Sequence, residues 1–407
     1  TNWNSCFFNE CAIQDFRIES EDTINFDKSD LYLVHFYNHI KTDGDFSVYN
    51  NVYINGDWTN LGTVSNRSGN SVTLQFNKQL VNYGTITSNA GGGNLEIRTN
   101  GDIENHGVYN PKQTIIPNGK NLILSQSANS KFQGDFLLSD TGTSVTLTSN
   151  VTFGNSDIHG IFSSGKYSTF YTNGNKLSFD SCTLWLLAFE GDKDTIYGGD
   201  SYFRVLSILD DLVLDGIFSI GSKVYLKGNI TNNGILQNYF NGRYELLIHS
   251  KMTNNGTVRN NPNGGVFEIS LSTDLHNNGV YYPTITYIKE GRNSNLSQSA
   301  NSKFQGDFLL SDTGTSLTLT SDVTFGNSAM QGSYSSGKYS TFHTNGYKLS
   351  FDSCTLLYLA FEGDNDTIYG GESYFQAISI LDDYVLDGIF NIGNGVYPMI
   401  IQITNAK

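Results

Sequence analysis

The chain has 407 residues and a net charge of −15, and its 24 Lys and Arg residues are scattered without forming a run. Nucleic acid is therefore excluded as a partner, because neutralising phosphates requires a stripe of basic residues. No apolar run approaches the roughly 18 residues of a membrane-spanning helix, so no membrane span is predicted in this segment. The abundance of Gly, Tyr, Phe, Asn, Ser and Thr indicates β-strands and turns rather than helices.

The sequence repeats itself with a long and strict period. Asp-Thr-Ile occurs at residues 22–24, 194–196 and 366–368, so that equivalent positions differ by 172 in number, and residues 125–216 return almost unchanged at 297–388. A catalytic centre is normally needed once, whereas structural and multivalent binding units gain from being copied. The repeat therefore favours a non-enzymatic function.

The period sets the predicted organisation. We divide the chain into a partial repeat at 1–49, full repeats at 50–221 and 222–393, and a last segment, 394–407, that begins another repeat or forms the terminus. We interpret the chain as a processed or trimmed segment of a longer array.

The cysteines fall into two groups. Cys6 and Cys11 lie in the partial repeat and are close enough in sequence to form a disulfide, which would indicate an oxidising compartment. Cys182 and Cys354 are equivalent positions of successive repeats, too far apart in stacked copies to be bridged. We expect them to be buried single thiols that pack as small apolar residues.

A shorter period runs through residues 50–120 and 222–292. Asn-x-Gly recurs at a nearly constant spacing of 22 or 23, at 60–62, 82–84, 105–107, 232–234, 254–256 and 277–279. A glycine with a positive φ at this spacing predicts one corner of each coil of a parallel β-solenoid. Between the corners, apolar residues alternate with polar ones, as in Val72, Leu74 and Phe76.

The predicted fold is therefore all-β: an elongated parallel β-helix, or solenoid, built from 172-residue tandem repeats of roughly eight coils each. The turns in the second half of each repeat are less regular. An alternative is thus a solenoid interrupted by inserted β-sandwiches.

Two acidic motifs suggest chemistry. The turns around residues 190–194 and 362–366 make Asp192, Asp194, Asp364 and Asp366 candidate calcium ligands, although a solvated acidic turn is the preferred explanation. The pairs beginning at Asp210 and Asp382 are the candidate carboxylates of a polysaccharide hydrolase or lyase.

Other surface signals are compatible with secretion. Six Asn-x-Ser/Thr sequons are candidate glycosylation sites, at Asn66, Asn150, Asn229, Asn255, Asn295 and Asn365. The tryptophans Trp3, Trp58 and Trp185 are not periodic, and we interpret them as core or edge aromatics rather than sugar platforms.

The repeated half also keeps its polar residues. Residues 139–144 and 163–170 are matched letter for letter at 311–316 and 335–342. Two explanations remain open: recent duplication of the gene segment, or a contact surface that is used twice.

The Asn-Asn-Gly coils carry a family resemblance. Residues 231–235 read Thr-Asn-Asn-Gly-Ile and residues 253–258 read Thr-Asn-Asn-Gly-Thr-Val. This iterated pattern resembles the N-terminal domain of the hyphally regulated cell wall proteins, an adhesin-like family of yeast surfaces. The resemblance implies a right-handed β-helix that is displayed on a glycan wall and used for attachment.

We therefore expect a secreted glycoprotein of the cell surface or cell wall, without enzymatic activity and without a cofactor other than calcium. It would act in cell adhesion, or as a component of an extracellular fibre, through multivalent repeated faces. The expected partners are cell-surface or wall polysaccharides or other copies of the chain along a fibre. The alternative function is a carbohydrate-active β-helix enzyme.

Overall fold

The structure is a computed structural model that describes residues 6–9, 12–19, 23–67, 69–363, 366–382, 384–392 and 401–403. The described residues form strands and turns, and none of them lies in a helix that could cross a membrane. The chain divides into two compact units, Thr1–Ser207 (unit 1) and Ile208–Lys407 (unit 2). The predicted all-β class is confirmed for the described residues.

The described residues form 49 strands. The first 25 are β1 (Cys6–Asn9), β2 (Ala12–Glu19), β3 (Thr23–Tyr37), β4 (Ile40–Val48), β5 (Val52–Ile54), β6 (Trp58–Asn60), β7 (Thr63–Asn66), β8 (Val72–Phe76), β9 (Leu80–Asn82), β10 (Thr85–Thr87), β11 (Leu95–Thr99), β12 (Ile103–Asn105), β13 (Val108–Asn110), β14 (Gln113–Ile116), β15 (Asn121–Gln126), β16 (Lys131–Gln133), β17 (Asp135–Leu138), β18 (Ser144–Leu147), β19 (Val151–Gly154), β20 (Asp157–His159), β21 (Phe162–Ser163), β22 (Lys166–Tyr171), β23 (Leu177–Asp180), β24 (Thr183–Glu190) and β25 (Asp194–Ile208). The other 24 are β26 (Leu212–Ile220), β27 (Val224–Leu226), β28 (Ile230–Asn232), β29 (Ile235–Asn238), β30 (Arg243–Ile248), β31 (Met252–Asn254), β32 (Thr257–Arg259), β33 (Val266–Leu271), β34 (Leu275–Asn277), β35 (Val280–Tyr282), β36 (Ile285–Ile288), β37 (Asn293–Gln298), β38 (Lys303–Gln305), β39 (Asp307–Leu310), β40 (Ser316–Leu319), β41 (Val323–Gly326), β42 (Ala329–Gln331), β43 (Tyr334–Ser335), β44 (Lys338–His343), β45 (Leu349–Asp352), β46 (Thr355–Glu362), β47 (Asp366–Ile380), β48 (Tyr384–Ile392) and β49 (Ile401–Ile403).

Each unit is a parallel β-solenoid, because the strands of one coil pair in parallel with those of the next. In unit 1, Thr63 of β7 pairs with Thr85 of β10, which in turn pairs with Val108 of β13. This register agrees with the spacing of the Asn-x-Gly motifs and so with the coil length predicted for this part of the chain. Stacking in this way gives most backbone N–H and C=O groups a partner in a neighbouring coil.

Coil length varies elsewhere. Leu212 pairs with Ile230, which makes a shorter coil, whereas Asp157 pairs with Thr183, which makes a longer one. The less regular half of the repeat is nevertheless made of the same parallel coils. Among the described strand pairs, antiparallel pairing occurs only in the short hairpins β21–β22 and β43–β44. The alternative with inserted β-sandwiches is therefore wrong.

The core is built from the alternation that the sequence predicts. In β8, Val72, Leu74 and Phe76 are buried while Thr73 and Gln75 are half-exposed. Successive residues of a strand point to opposite faces, so each coil turns one set of side chains inward. The interior of each unit is apolar because these inward positions carry Leu, Ile, Val and Phe.

A column of buried aromatic rings runs through the interior of each unit, with neighbouring ring centroids between 5.2 and 6.0 Å apart. The column consists of Tyr109, Phe132, Phe153, Phe179 and Phe203 in unit 1, and of Tyr281, Phe304, Phe325, Phe351 and Phe375 in unit 2. Such offset and edge contacts stabilise aromatic pairs beyond the burial of their area.

The asparagines of the Asn-x-Gly motif form a second internal column. The Nδ2 of Asn232 donates to Oδ1 of Asn254 at 2.8 Å, and Asn254 donates to Asn277 at the same distance. Asn60, Asn82 and Asn105 form the equivalent ladder in unit 1. All six side chains are buried, so each amide depends on its counterpart in the neighbouring coil for hydrogen bonds.

The glycine of the motif has a different role from the predicted one. Gly84 and Gly256 are not among the residues with positive φ. Instead, a Cβ on Gly84 would lie 2.1 Å from the carbonyl oxygen of Gly62, and one on Gly256 would lie 2.1 Å from that of Gly234. The positive-φ explanation is therefore wrong: glycine is required because the backbones of stacked coils approach too closely for any side chain.

Replacing Gly256 by Asn is expected to lower the free energy of unfolding by about 1–3 kcal/mol, the usual cost of overpacking. Asn tolerates a positive φ, so a requirement for φ alone would predict little loss. Gly337→Asn is the matched control, since Gly337 has φ +79° and open space around its Cβ position. Its loss should stay below about 1 kcal/mol. Equal losses on chemical denaturation would contradict the steric explanation.

Replacing Asn254 by Ala is expected to destabilise the chain by about 1–3 kcal/mol, because buried hydrogen bonds to Asn277 and from Asn232 are lost without access to water. The neighbouring Asn255 is exposed, and Asn255→Ala should change stability by less than about 1 kcal/mol. Urea titration followed by circular dichroism compares the two variants. Similar urea midpoints for the two variants would show that the buried asparagine ladder contributes no more stability than the exposed Asn255.

Candidate functional site

A short β-hairpin interrupts the coil at the same place in both units. In unit 1 it joins β21 to β22 and pairs Phe162 with Tyr167; in unit 2 it joins β43 to β44 and pairs Tyr334 with Tyr339. The tip is Ser-Gly, and both residues have positive φ: 53° and 79° in unit 1, 52° and 79° in unit 2. Two positive φ values are what a type I′ turn requires.

Each hairpin presents a pair of aromatic rings to solvent. The ring centroids of Phe162 and Tyr167 are 4.4 Å apart, and those of Tyr334 and Tyr339 are 4.5 Å apart. Phe162 is 44% exposed and Tyr334 is 47% exposed. Exposed aromatic rings that are held in a fixed place indicate a binding surface.

A third tyrosine joins the pair in unit 2. Burial raises the pKa of Tyr339, and the neighbouring Tyr334 and Tyr358 raise it further. Tyr358 has a φ of 57°, and Leu186, which occupies the equivalent position in unit 1, has a φ of 55°. The two hairpins thus share a backbone and differ in the side chain beside it.

A polar groove lies on the outward face of β44, the strand that follows the hairpin of unit 2. The register places Thr318, His343 and Glu362 side by side on three parallel strands. His343 Nδ1 lies 3.2 Å from Glu362 Oε2. The groove has a volume of 560 Å³ and is lined by Asn293, Thr318, His343, Asn345, Gly346, Glu362, Gly363 and Asp382.

The groove and the hairpin belong to one surface. Along β44, the buried residues Ser340 and Phe342 alternate with Tyr339, Thr341 and His343, which are partly exposed. The aromatic pair therefore stands at one end of the outward face and the polar groove at the other. Hydroxyl, amide, imidazole and carboxylate groups beside exposed rings suit a ligand with both polar and apolar faces.

The candidate calcium ligands Asp194 and Asp366 make hydrogen bonds within the fold. Asp194 Oδ2 accepts hydrogen bonds from the Thr172 hydroxyl at 2.7 Å and from the Gly174 amide at 2.8 Å. Asp366 is bonded in the same way, to the equivalent residues Thr344 and Gly346. These hydrogen bonds give the two buried carboxylates a structural role at a turn, and their role as calcium ligands stays a prediction.

The rest of that prediction finds no support in the described residues. They contain no group of three or more His, Cys, Asp or Glu side chains that could hold a metal ion. Asp192 is exposed, and Asp364 lies outside the described residues.

The candidate catalytic carboxylates also make local contacts. Asp211, which follows the exposed Asp210, accepts from the Asn229 amide N–H at 2.7 Å. Asp382 accepts from the Gly363 N–H at 3.0 Å and lines the polar groove together with Glu362. Asp382 is thus the member of this predicted set that the structure places beside a second carboxylate in a groove.

The six sequons differ in accessibility. Asn66 is fully buried, and its Nδ2 donates to the carbonyl oxygens of Asn70 at 2.8 Å and Gly92 at 3.2 Å. The side chain of Asn66 is therefore inaccessible in the folded chain. Of the others, Asn150, Asn229 and Asn255 are exposed, Asn295 is half-buried, and Asn365 lies outside the described residues.

The tryptophans differ in the same way. Trp58 is fully buried and donates its indole N–H to Thr42, as a core aromatic should. Trp185 is half-exposed on the outward side of β24, and Trp3 lies outside the described residues. Sequence reasoning missed Trp185 and the hairpin aromatics as surface features. The only signal was an aromatic residue on each side of Ser-Ser-Gly-Lys.

Comparison with protein-family models, curated proteins and solved structures finds no match for this chain.

The cysteines give a direct solution test. Cys182 and Cys354 are free and buried, as expected, and burial raises the pKa of both thiols. The predicted partners Cys6 and Cys11 cannot be compared, because Cys11 and the side chain of Cys6 lie outside the described residues.

A raised pKa means that less thiolate is present at a given pH, and the thiolate is the reactive form. In a chain carrying Cys6→Ser and Cys11→Ser, Ellman's reagent at pH 8 should therefore leave Cys182 and Cys354 unmodified until urea is added. Two equivalents of thiol released from the native chain within minutes would contradict this prediction.

Proposed function

We propose that this chain is a non-enzymatic extracellular protein of the cell surface or cell wall, acting as an adhesin or as a component of a surface fibre. Its ligand is a wall or cell-surface polysaccharide, bound through the outward face that carries the aromatic hairpin and the polar groove. The observation that carries the proposal is the recurrence of one aromatic hairpin, with the same turn and ring spacing, in both units.

The chemistry of this face supports a carbohydrate ligand. Sugar rings present an apolar face of C–H groups, which packs on exposed aromatic rings, and a rim of hydroxyls, which bonds to amide, hydroxyl and carboxylate groups. The hairpin supplies the rings and the groove around His343 and Glu362 supplies the polar groups. Other copies of the chain, packed along a fibre, are the second partner class that this face suits.

The sequence differences between the two hairpins support a binding role for their exposed rings. Phe162 is replaced by Tyr334, an aromatic residue, while the neighbouring Ile161 is replaced by the polar Ser333. Retaining the ring where an adjacent apolar residue is lost is expected if the ring makes a contact.

We also propose that the two units derive from a 172-residue tandem repeat of about eight coils. The corresponding strands β17 and β39 begin at equivalent positions of this period, Asp135 and Asp307, and the two hairpins also occupy equivalent positions. The coils would wind in the right-handed sense that nearly all parallel crossover connections adopt. A right-handed solenoid of this kind is what the resemblance to the hyphally regulated cell wall proteins implies.

Secretion and glycosylation belong to the same proposal. The exposed amides of Asn150, Asn229 and Asn255 stand where an attached glycan would project into solvent.

A second candidate function rests on one observation, the position of Asp382 and Glu362 in the same groove. Two carboxylates in a groove are the minimal equipment of a polysaccharide hydrolase.

The test measures binding of the full chain to beads coated with β-glucan, chitin, mannan or partly esterified polygalacturonate. Phe162→Ser with Tyr167→Ser removes the aromatic pair of unit 1, and Tyr334→Ser with Tyr339→Ser removes that of unit 2. Each double variant is expected to lower the apparent affinity for a polymer by about a hundredfold, because one linked contact is lost. Affinity for a short oligosaccharide should stay the same, with half the number of sites.

Ser163→Ala is the matched control, since it changes the hairpin without removing a ring. If neither double variant changes polymer binding while the wild-type chain binds, the hairpins are not the contact. If the wild-type chain binds no polymer and does not self-associate in sedimentation, the adhesin proposal fails. Release of reducing ends that is lost in Glu362→Gln would favour the enzyme instead.

A further inference from the structure

Outward side chains on neighbouring strands of unit 1 form a column that ends at Arg204, whose guanidinium lies over an aromatic ring. The register places Leu137, His159 and Trp185 in neighbouring strands. The His159 ring and the indole of Trp185 are stacked, 5.6 Å apart with an interplanar angle of 12°. On the indole, the guanidinium carbon of Arg204 lies only 3.6 Å from the ring centroid. Contact at this distance is a strong cation–π interaction.

Arg204 is held in place but its charge is not neutralised. Its guanidinium also lies 5.2 Å from the centroid of the Tyr202 ring. No carboxylate in the described part of the chain forms an ion pair with it. The chain has a net charge of −15, and the guanidinium of Arg204 provides a local positive charge on this acidic protein. A guanidinium stacked by its faces keeps its planar fork of N–H donors available at the edges.

The equivalent column of unit 2 is neutral. The register there places Gln331 beside Leu357 and Leu357 beside Gln376. Within residues 125–216 and their counterparts, 17 of 92 positions differ. Three of those differences fall on this single column, and together they remove the imidazole, the indole and the guanidinium.

We propose that unit 1 carries a site for the carboxylate group of an acidic, uronate-containing polysaccharide, with Arg204 as the anion-binding residue. Trp185 holds the guanidinium in place, and the half-exposed Leu137 and the indole edge offer apolar contact to the sugar ring. The inference rests on the proposed function in glycan binding and adds a ligand class to unit 1. The two units thereby differ in specificity: both bind sugar rings through their hairpins, and unit 1 alone also binds a carboxylate.

The geometry favours a carboxylate over denser anions. The N–H fork of one guanidinium matches the two oxygens of one carboxylate in a bidentate pair. Nucleic acid and heavily sulfated polymers bind through several cations at once, whereas this column offers one guanidinium. A partly esterified polyuronate combines spaced single charges with apolar ring faces, which is the pattern that the column offers.

The test uses the full chain and partly esterified polygalacturonate, with neutral β-glucan as the reference ligand. Arg204→Gln, the residue that unit 2 carries at this position, is expected to weaken polygalacturonate binding about ten- to hundredfold, the effect of losing one charge-assisted hydrogen-bonded pair. Binding to β-glucan should not change. The matched control is Arg67→Gln, which removes an exposed arginine of unit 1 that already pairs with Asp30.

The reverse exchange introduces the unit 1 residues into the neutral column of unit 2. Gln331→His, Leu357→Trp and Gln376→Arg together should give unit 2 a second uronate site. The number of sites for a soluble galacturonate oligomer, measured by calorimetry, should then rise from one to two. Because both columns occupy equivalent coils, each set of residues is already carried by a folded unit of this chain.

Fluorescence separates this inference from the proposed function. Trp185 is half-exposed while Trp58 is buried, so soluble galacturonate oligomers should change the emission of the wild-type chain but not that of Arg204→Gln. That result supports the site even if the chain binds no coated surface. If the wild-type chain binds β-glucan, but wild type and Arg204→Gln bind polygalacturonate equally well, the proposed carboxylate site is wrong. The proposed function in adhesion is then unaffected. Equal loss of dextran sulfate binding in Arg204→Gln would overturn the assignment to carboxylate.

Discussion

In both units the nearest neighbour of a side chain is the residue at the same position of the next coil, because parallel backbone hydrogen bonds set one coil directly on another. Every position of the coil is therefore under a stacking constraint. Buried amides stack on one another from coil to coil, as Asn254 meets Asn232 and Asn277. A glycine persists where two backbones touch, as Gly256 does over Gly234. The aromatic columns obey the same rule with rings.

This constraint explains what the sequence could predict. Equal spacing of Asn-x-Gly and alternation around Val72 and Leu74 were enough for a parallel solenoid with the observed coil length. The cause assigned to the glycines was wrong, because spacing alone does not distinguish a positive φ from a close approach of backbones. The asparagine two positions earlier was overlooked for a related reason: a polar residue beside a turn is usually at the surface.

The candidate site was harder to predict because it lies where the coil length changes. The short coil that begins at Leu212 and the long one that begins at Asp157 leave the lateral register undefined in sequence. Without the register, nothing places His159 beside Trp185 or Arg204 over the indole. The hairpin was hidden in the same way, since its residues look like one more polar turn until the antiparallel pair from Phe162 to Tyr167 is seen.

Stacking also separates what may change from what may not. Three inward differences between the repeated halves exchange one apolar residue for another, as when Ile158 becomes Met330, because the interior is close-packed and apolar. Outward positions carry no such limit, and Trp185 becomes Leu357 on an equivalent strand. A duplicated solenoid thus keeps its frame while each copy of the face changes its chemistry. Such an architecture allows different copies to bind different ligands, because changes in the outward residues do not alter the packing of the core.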